Sequence, residues 1–216
     1  MTTAAGAAQP EVDIETTGRR MMSHIDVLQF IGAIQGWARQ RDGQFKYNWP
    51  VKGGWEGWIQ VDLTASILTA APTAEILREQ PVYTNTRQRC DLLLNTTAAP
   101  DAQVIVELKA ESWHNRAAFV PGVIDDLDKL QQSVSPAYAG SNRVMLAMPF
   151  SQPSYQDVLG IQIDGHRIFS AVHVGEVACL VAVRTAQGWL SPEGLGVPEV
   201  AGALPFVPAQ PATAGR

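Results

Sequence analysis

The stretch from Arg89 to Ser112 most constrains how this chain can fold. It contains two apolar runs of strand length, Arg-Cys-Asp-Leu-Leu-Leu and Val-Ile-Val-Glu-Leu-Lys-Ala-Glu-Ser. The segment between them is made of Asn, Thr, Ala, Pro and Asp, which are turn-forming residues. Two strand-like runs joined by such a segment predict a β-hairpin.

The second of these strands carries an acid and a base where a buried strand should carry neither. Because successive side chains of a strand point to opposite faces, Ile105, Glu107 and Lys109 share one face. The other face is wholly apolar, with Val104, Val106, Leu108 and Ala110. Asp91 opens the neighbouring strand and reaches the same place if the two strands pair.

Burying two carboxylates beside one ammonium group is costly unless something neutralises them. A divalent cation would do so, and this is one interpretation of Asp91, Glu107 and Lys109. The competing interpretation is a structural ion pair, in which Lys109 binds Asp91 or Glu107 at the edge of the sheet. The sequence of the hairpin alone does not decide between them.

A helix is expected on each side of the segment 43–54, which we interpret as a linking loop anchored by Phe45, Tyr47 and Trp49. The first begins at Ser23, with Asp26 as the partner in a capping box, and ends near residues 41–43. Its apolar stripe consists of Val27, Phe30, Ile31, Ile34, Trp37 and Ala38.

The second helix runs from about Trp55 to Ala70 and is stopped by Pro72. Glu56 and Gln60 fall on the same helical stripe as Leu63 and Ile67, which must face the core. Two interpretations of Glu56 remain open. Either the first turn overhangs the sheet and Glu56 stays in water, or Glu56 is directed at the edge where Asp91 and Glu107 lie.

Further elements follow on both sides of the hairpin. An outer strand is expected between Glu75 and Tyr83, interrupted by Pro81. Residues 113–120 are expected to form a loop or a short helix. Pro121-Gly122 then introduces a helix that extends to Gln132, with Val123, Leu127 and Leu130 on its buried face. Arg143 to Phe150 is a buried strand by its continuous apolarity. Residues 161–184 hold two or three more strands, with a tight turn at Asp164-Gly165.

The bulk composition is that of one folded domain with two tails. Of the 216 residues, 46% are hydrophobic and 17% are charged, and the net charge is −5. We expect an N-terminal tail at 1–20, a domain at 21–190 and a Pro-, Ala- and Gly-rich C-terminal tail at 191–216. The mild negative charge argues against a binder that relies on bulk positive charge, although it leaves room for a basic cleft.

Several classes of site are disfavoured by the sequence. Cys90 and Cys179 lie in isolated apolar contexts, which favours buried, reduced thiols over a disulfide or a zinc knuckle. The four histidines are scattered singly, and there is no Gly-rich phosphate loop or nucleophile elbow. We interpret the six tryptophans as core and loop anchors rather than as base-stacking platforms. Arg87 and Arg89 precede the Asp91 strand and could contact a phosphate backbone, although solvated surface is the commoner role of such arginines. Neither a signal peptide nor an apolar run of membrane-spanning length is present, so we expect a cytoplasmic protein without membrane contact.

Asp91, the later Glu107-Leu108-Lys109 and the preceding helical Glu56 together resemble the PD-(D/E)XK nuclease superfamily. The resemblance covers roughly residues 53–150. Trp55-Glu56-Gly57-Trp58 matches the family's helical Glu by position, and Asp126-Leu127-Asp128-Lys129-Leu130 resembles the helix behind the hairpin. One departure is that Cys90, rather than Pro, precedes Asp91. The resemblance implies an α/β protein of the restriction-endonuclease-like fold, with three α/β/α layers around a central mixed β-sheet.

Phosphodiester cleavage needs an activated water and neutralisation of phosphate charge, and carboxylate-bound Mg²⁺ or Mn²⁺ supplies both. The expectation is a metal-dependent endonuclease acting on DNA, with RNA not excluded. Glu56, Asp91 and Glu107 are the expected metal ligands, Lys109 assists the water, and Gln60 and Lys129 approach the substrate.

Restriction, repair, phage defence and a delivered toxin all suit such an enzyme, and a toxin would require an inhibitor or immunity protein. The competing hypothesis is a binding or assembly module that kept the fold without turnover. The sequence does not predict the oligomeric state.

Overall fold

The structure is a computed structural model that describes residues 24–53 and 55–205. The expected N-terminal tail, residues 206–216 and Ser23 lie outside the described residues. The helices in the described part are α1 (Val27–Arg41), α2 (Phe45–Asn48), α3 (Trp55–Ala70), α4 (Arg116–Asp128), α5 (Gln152–Leu159) and α6 (Pro192–Leu195). The strands are β1 (Ile76–Gln80), β2 (Cys90–Leu94), β3 (Val104–Ala110), β4 (Asn142–Met148), β5 (Gln162–Ile163), β6 (His166–Arg167), β7 (Phe169–Val174), β8 (Ala178–Thr185) and β9 (Gly188–Trp189).

A mixed, mostly antiparallel sheet forms the centre of the molecule. Its strand order is β1-β2-β3-β4-β8-β7, and β9 pairs with the end of β8. The pair β3/β4 is parallel, whereas the neighbouring pairs β2/β3 and β4/β8 are antiparallel. A parallel pair needs a long crossover between its strands, and here α4 provides it. The predicted hairpin is confirmed as β2 and β3.

Helices cover both faces of this sheet, so the predicted mixed α/β class is confirmed. α1 and α3 pack on one face over a core that includes Val104, Val106 and Leu108 of β3. α4 and α5 pack on the other face, where Ile105 joins a second core. The alternation predicted for β3 is therefore present, and Glu107 and Lys109 belong to the face that α4 covers.

The two N-terminal helices follow their predicted patterns closely. α3 spans Trp55–Ala70 as expected, and it buries Ile59, Gln60, Leu63 and Ile67. The stripe predicted for α1 is buried from Phe30 to Ala38. Its start differs from the prediction, because the capping residue is Asp26 and its capping-box partner is Gln29. The segment between the helices contains the short helix α2; Phe45 and Trp49 are buried there, whereas Tyr47 is 70% exposed.

The start of α4 was predicted wrongly. Pro121 was expected to introduce the helix, but α4 begins at Arg116 and includes Pro121. The extra turn brings Phe119, which is fully buried, onto the same helical face as Val123. Burial of this aromatic ring offsets the cost of an internal proline. The helix then widens into a π-helical turn over Lys129–Ser133.

The C-terminal part of the chain alternates between short strands and packed extended segments. Asp164 and Gly165 form the expected tight turn between β5 and β6, with φ values of 53° and 81°. The segment expected to be extended from Pro192 onward first forms α6. It then runs beside β7, where Val200 N donates to Ala171 O at 2.7 Å.

Candidate functional site

Asp91 lies where β2 and β3 separate. The pairing between these strands runs from Leu94 opposite Val104 to Leu92 opposite Val106 and stops there. Beyond that point, Oδ2 of Asp91 accepts a hydrogen bond from Leu108 N at 2.6 Å. The aspartate side chain thus takes over a backbone donor of β3 at the opening of the hairpin, which places its carboxyl group beside Glu107.

Glu107 is buried on the face of β3 that α4 covers. Its side chain is only 3% exposed, and its Oε1 accepts a hydrogen bond from the hydroxyl group of Tyr83. Tyr83 follows β1 and is held by an isolated bridge to Val134. The sequence analysis did not identify Tyr83, because this contact depends on how the chain returns after Pro81.

Glu56 turns toward β3 from the first turn of α3. Its Oε1 lies 3.3 Å from Nζ of Lys109, and its Oε2 accepts from Ala110 N at 3.2 Å. The side chain remains one-third exposed. Glu56 is therefore not left wholly in water, and its contacts are with Lys109 and Ala110 at the end of β3.

Gln60 connects Asp91 to β1. Its Nε2 donates to Oδ1 of Asp91 at 2.6 Å, while its Oε1 accepts two hydrogen bonds from Arg78, at 3.1 and 2.7 Å. Gln60 is buried, and both ends of its amide are used within the protein. Its contact with a substrate stays a prediction, whereas its contact with Asp91 is a feature of the fold.

Asp126 is the charged residue at the site that the sequence analysis missed. It is buried on α4; its Oδ1 pairs with Nζ of Lys129, and its Oδ2 lies 3.2 Å from Nζ of Lys109. A sequence signal for its burial exists. Asp126 lies three residues after Val123 and four before Leu130, on the stripe predicted to face the core.

Burial and mutual repulsion raise the pKa values of the three predicted carboxylates. Burial, followed by the charges of Asp91 and Asp126, raises the pKa of Glu107 to about 9. Burial also raises the pKa of Asp91 to about 6, although the hydrogen bond from Leu108 opposes the shift. Burial likewise raises the pKa of Glu56, although the positive charge of Lys109 opposes this shift. The site therefore favours a positive charge from outside.

Lys109 lies between carboxylates from two helices. Burial lowers its pKa, but Glu56 and Asp126 together outweigh burial, so the net pKa lies above its ordinary value. The stem of Lys109 runs past Gly122 of α4, where an added Cβ would lie 3.4 Å from Cδ and Cε. Lys109 is thus held as an ammonium group by contacts on both sides.

The oxygen donors at this site are of the type that Mg²⁺ and Mn²⁺ prefer. In the conformation described for residues 24–53 and 55–205, no three or more His, Cys, Asp or Glu side chains are arranged to hold a metal ion. Glu56, Asp91 and Glu107 instead accept hydrogen bonds from protein groups. The chemistry of the donor set fits a divalent cation, and binding one requires these side chains to exchange hydrogen bonds for coordination.

An open cavity of about 370 Å³ adjoins Glu56 and Lys109. Its walls come from the loop before α3, the end of β3 and the first turns of α4. The cavity connects these charged groups to solvent.

The remaining predicted features are two arginines, two cysteines and the tryptophans. Arg87 and Arg89 are exposed. Cys90 and Cys179 are buried free thiols, as predicted. The tryptophans found in ring contacts act as anchors: Trp55 stacks on Trp58 with centroids 5.7 Å apart, and Trp49 stacks on Phe150 at 4.8 Å.

Comparison with known proteins returned no matching family model, no matching curated protein and no matching solved structure. Within the described residues, no helix combines the length and the apolarity needed to cross a membrane.

Proposed function

We propose that this chain is a metal-dependent nuclease of the PD-(D/E)XK superfamily that hydrolyses phosphodiester bonds in DNA. One observation carries the proposal. Glu56 from α3, Asp91 from β2, and Glu107 and Lys109 from β3 meet where the hairpin strands separate, beside an open cavity. A helix and the two strands of a hairpin thus contribute acidic and basic groups to one region.

The order of elements supports a restriction-endonuclease-like fold. A helix with Glu56 precedes an antiparallel hairpin with Asp91 and Glu107, and α4 then crosses over to the parallel strand β4. Helices on both sheet faces are consistent with three α/β/α layers. This is the arrangement that the sequence resemblance implies.

Glu56, Asp91 and Glu107 are the residues that would hold Mg²⁺ or Mn²⁺. Their raised pKa values report negative charge that the protein alone leaves poorly compensated. When bound, the ion supplies neutralisation of phosphate charge and activation of a water molecule.

Residues of the chain itself orient the carboxylates at the reaction centre and supply its positive charge. Gln60, itself held by Arg78, fixes one oxygen of Asp91, and Tyr83 fixes one oxygen of Glu107. Lys109 presents an ammonium group beside Glu56, where it would stabilise negative charge on the attacked phosphate or orient the water. Lys129 stays the predicted phosphate contact from α4.

Plasmid nicking in Mg²⁺ or Mn²⁺, with EDTA as the metal-free control, tests this proposal. We expect Glu107→Gln and Lys109→Met each to reduce the cleavage rate by at least about a hundred-fold, because both change groups at the reaction centre. Glu199→Gln, a substitution of an exposed carboxylate, is the matched control and should leave the rate unchanged. Cleavage that persists at the wild-type rate in Glu107→Gln would refute the assignment.

The alternative is a binding or assembly module without turnover. It is favoured by the hydrogen bonds that protein groups already donate to Glu56, Asp91 and Glu107. A clean preparation that binds DNA or RNA but cleaves neither, with either metal, would support this alternative. Cleavage of RNA alone would keep the enzyme proposal and change its substrate.

A further inference from the structure

The open cavity beside Glu56 and Lys109 continues along α4, away from these charged groups. A Cβ added at Gly122 would lie 3.4 Å from the stem of Lys109, so Gly122 marks the charged end. Ala118 lies one helical turn earlier, and Asn115 comes directly before the helix. At 1.5 Å per residue, these wall residues extend over about 10 Å along the helix axis. The cavity therefore has room beyond the group that contacts Lys109.

The walls away from Lys109 are largely apolar. Val51, Trp55 and Ala118 contribute apolar side chains, and Val51 and Ala118 are exposed to solvent there. Asn115 is polar, but both ends of its amide bond to backbone groups at the end of β3 and in the loop that follows, at 2.6 and 2.9 Å. The cavity thus offers a bound group mainly apolar contact at one end and an ammonium group at the other.

A nucleotide has the same division, into a flat, largely apolar base and an anionic phosphate. Building on the proposed nuclease function, we propose that the cavity holds one unstacked nucleotide beside the phosphate that is cleaved, with its base against Val51 and Ala118 and its phosphate towards Lys109. The volume of about 370 Å³ lies within the usual range of small-molecule sites, about 300–1,000 Å³, and suits one nucleotide rather than a segment of duplex. The substrate is therefore single-stranded or locally unpaired DNA, bound with little preference for sequence.

Cleavage of single-stranded and relaxed duplex oligonucleotides of one sequence tests this inference in Mg²⁺. We expect the single strand to be cleaved at least about ten-fold faster, because extraction of a base from a duplex costs free energy. Supercoiled plasmid stays a substrate, since negative supercoiling favours local strand separation. Equal or faster cleavage of the duplex would overturn the inference and leave the nuclease proposal standing. Cleavage of neither would overturn the nuclease proposal, and binding would then decide whether the cavity takes a nucleotide.

Ala117 and Ala118 are adjacent exposed residues of α4 that line different cavities, so they provide a matched pair for binding. Ala118→Leu fills part of the proposed nucleotide cavity without adding a ring that could stack on a base. It should weaken binding of a fluorescent single-stranded oligonucleotide about five-fold or more, measured by anisotropy in EDTA. Ala117→Leu places the same side chain in the neighbouring cavity and should leave binding unchanged. Wild-type affinity in Ala118→Leu would overturn the inference.

A second pair of variants tests the opposite wall of the cavity. Val51 and Val61 are exposed to a similar extent, 55% and 51%, but only Val51 lines this cavity. Val51→Ser removes apolar contact with the base and should weaken single-strand binding several-fold, whereas Val61→Ser should not. Neither substitution should change binding of the duplex. An equal loss of single-strand affinity in both variants would show that the cavity is not the binding site and would overturn the inference.

Discussion

Glu107 and Glu111 are both buried and lie four residues apart, yet their surroundings are opposite. Glu111 is fully buried and accepts hydrogen bonds from Phe150 N, Ser151 N, Ser151 Oγ and Ser154 Oγ, at 2.6 to 2.9 Å. Arg116 adds an ion pair at 3.4 Å. Glu107 accepts a hydrogen bond from Tyr83 and has carboxylates as neighbours.

The comparison shows that burial alone does not mark a functional carboxylate. At Glu111 the donors hold the segment before α5 against the residue that follows β3, so the carboxyl group serves the fold. At Glu107 the donors are too few and the nearby charges have the wrong sign, so ionisation is disfavoured without an external cation. The same residue type is a structural anchor in one place and a candidate metal ligand in the other.

Removal of Glu111 should have the largest effect on stability. Glu111→Ala leaves two backbone donors and two serine hydroxyl groups buried without an acceptor, which should lower the free energy of unfolding by about 3–5 kcal/mol. Urea unfolding followed by circular dichroism measures this loss. Glu199→Ala, at an exposed ion pair, should change stability by less than about 1 kcal/mol. A loss of equal size in both variants would contradict the anchoring role.

Glu107→Gln should show the opposite pattern. Its amide keeps the size of the side chain and removes a charge that the fold disfavours, so the free energy of unfolding at pH 7 should stay the same or rise. Activity should nevertheless fall by about a hundred-fold or more, because the proposed function makes Glu107 a metal ligand. Parallel urea unfolding and plasmid nicking on one preparation provide the two readouts. A large loss of stability in Glu107→Gln would show instead that Glu107, like Glu111, stabilises the fold.

Stability without metal should fall as pH rises, because the pKa of Glu107 is raised in the folded state. The stabilisation from its protonated form is fully present below its unfolded pKa of 4.5 and is lost as pH approaches about 9. The slope contributed by one such proton reaches about 1.4 kcal/mol per pH unit. Asp91 adds to this slope between 3.8 and about 6.

Urea unfolding in EDTA at a series of pH values measures this dependence. Glu107→Gln should flatten the curve above pH 6, where Asp91 no longer contributes. Under the proposed function, Mn²⁺ should stabilise the wild type increasingly as pH rises, because the proposed site takes the ion on ionised carboxylates. A wild-type stability in EDTA that is constant from pH 5 to pH 9 would show that Glu107 is ionised without help.

Local sequence patterns were sufficient to predict the helix and strands that carry the site residues. The bounds of α3, the hairpin β2/β3 and the alternation along β3 follow from periodicity and turn residues, and these elements bring Glu56 and Lys109 into contact. The start of α4 was missed because Pro121 is a common signal for a helix start, and the burial of Phe119 outweighs it. The position of β8 between β4 and β7 depends on long-range pairing, which no local pattern contains.

The supporting contacts were harder to predict than the charged groups themselves. Asp126 lies on a stripe that was predicted to be buried, and attention to its charge would have found it. Arg78 reaches Gln60 from the edge strand β1, in which Glu79 has a φ of 55°. That contact, like the one between Tyr83 and Glu107, depends on strand register and on the path of the chain after β1, which propensity does not specify.

Two substitutions that each remove one hydroxyl group test the smallest expected difference between Glu107 and Glu111. Tyr83→Phe removes the hydroxyl donor of Glu107, and Ser154→Ala removes one of several donors of Glu111. Each should cost about 1 kcal/mol of stability at pH 7, the usual net value of a hydrogen bond. The variants should differ in metal binding and cleavage, because the proposed function gives a metal-ligand role to Glu107 and none to Glu111.

The Tyr83 hydroxyl favours the ionised form of Glu107, so Tyr83→Phe should raise the pKa of Glu107 further and weaken Mn²⁺ binding and cleavage several-fold. Ser154→Ala should leave metal binding and cleavage unchanged, because Glu111 keeps its other donors. Mn²⁺ titration and plasmid nicking on both variants, with Tyr47→Phe as an exposed control, measure the contrast. If Ser154→Ala weakened metal binding as much as Tyr83→Phe, the two glutamates would belong to one coupled network, and the division between anchor and ligand would fail.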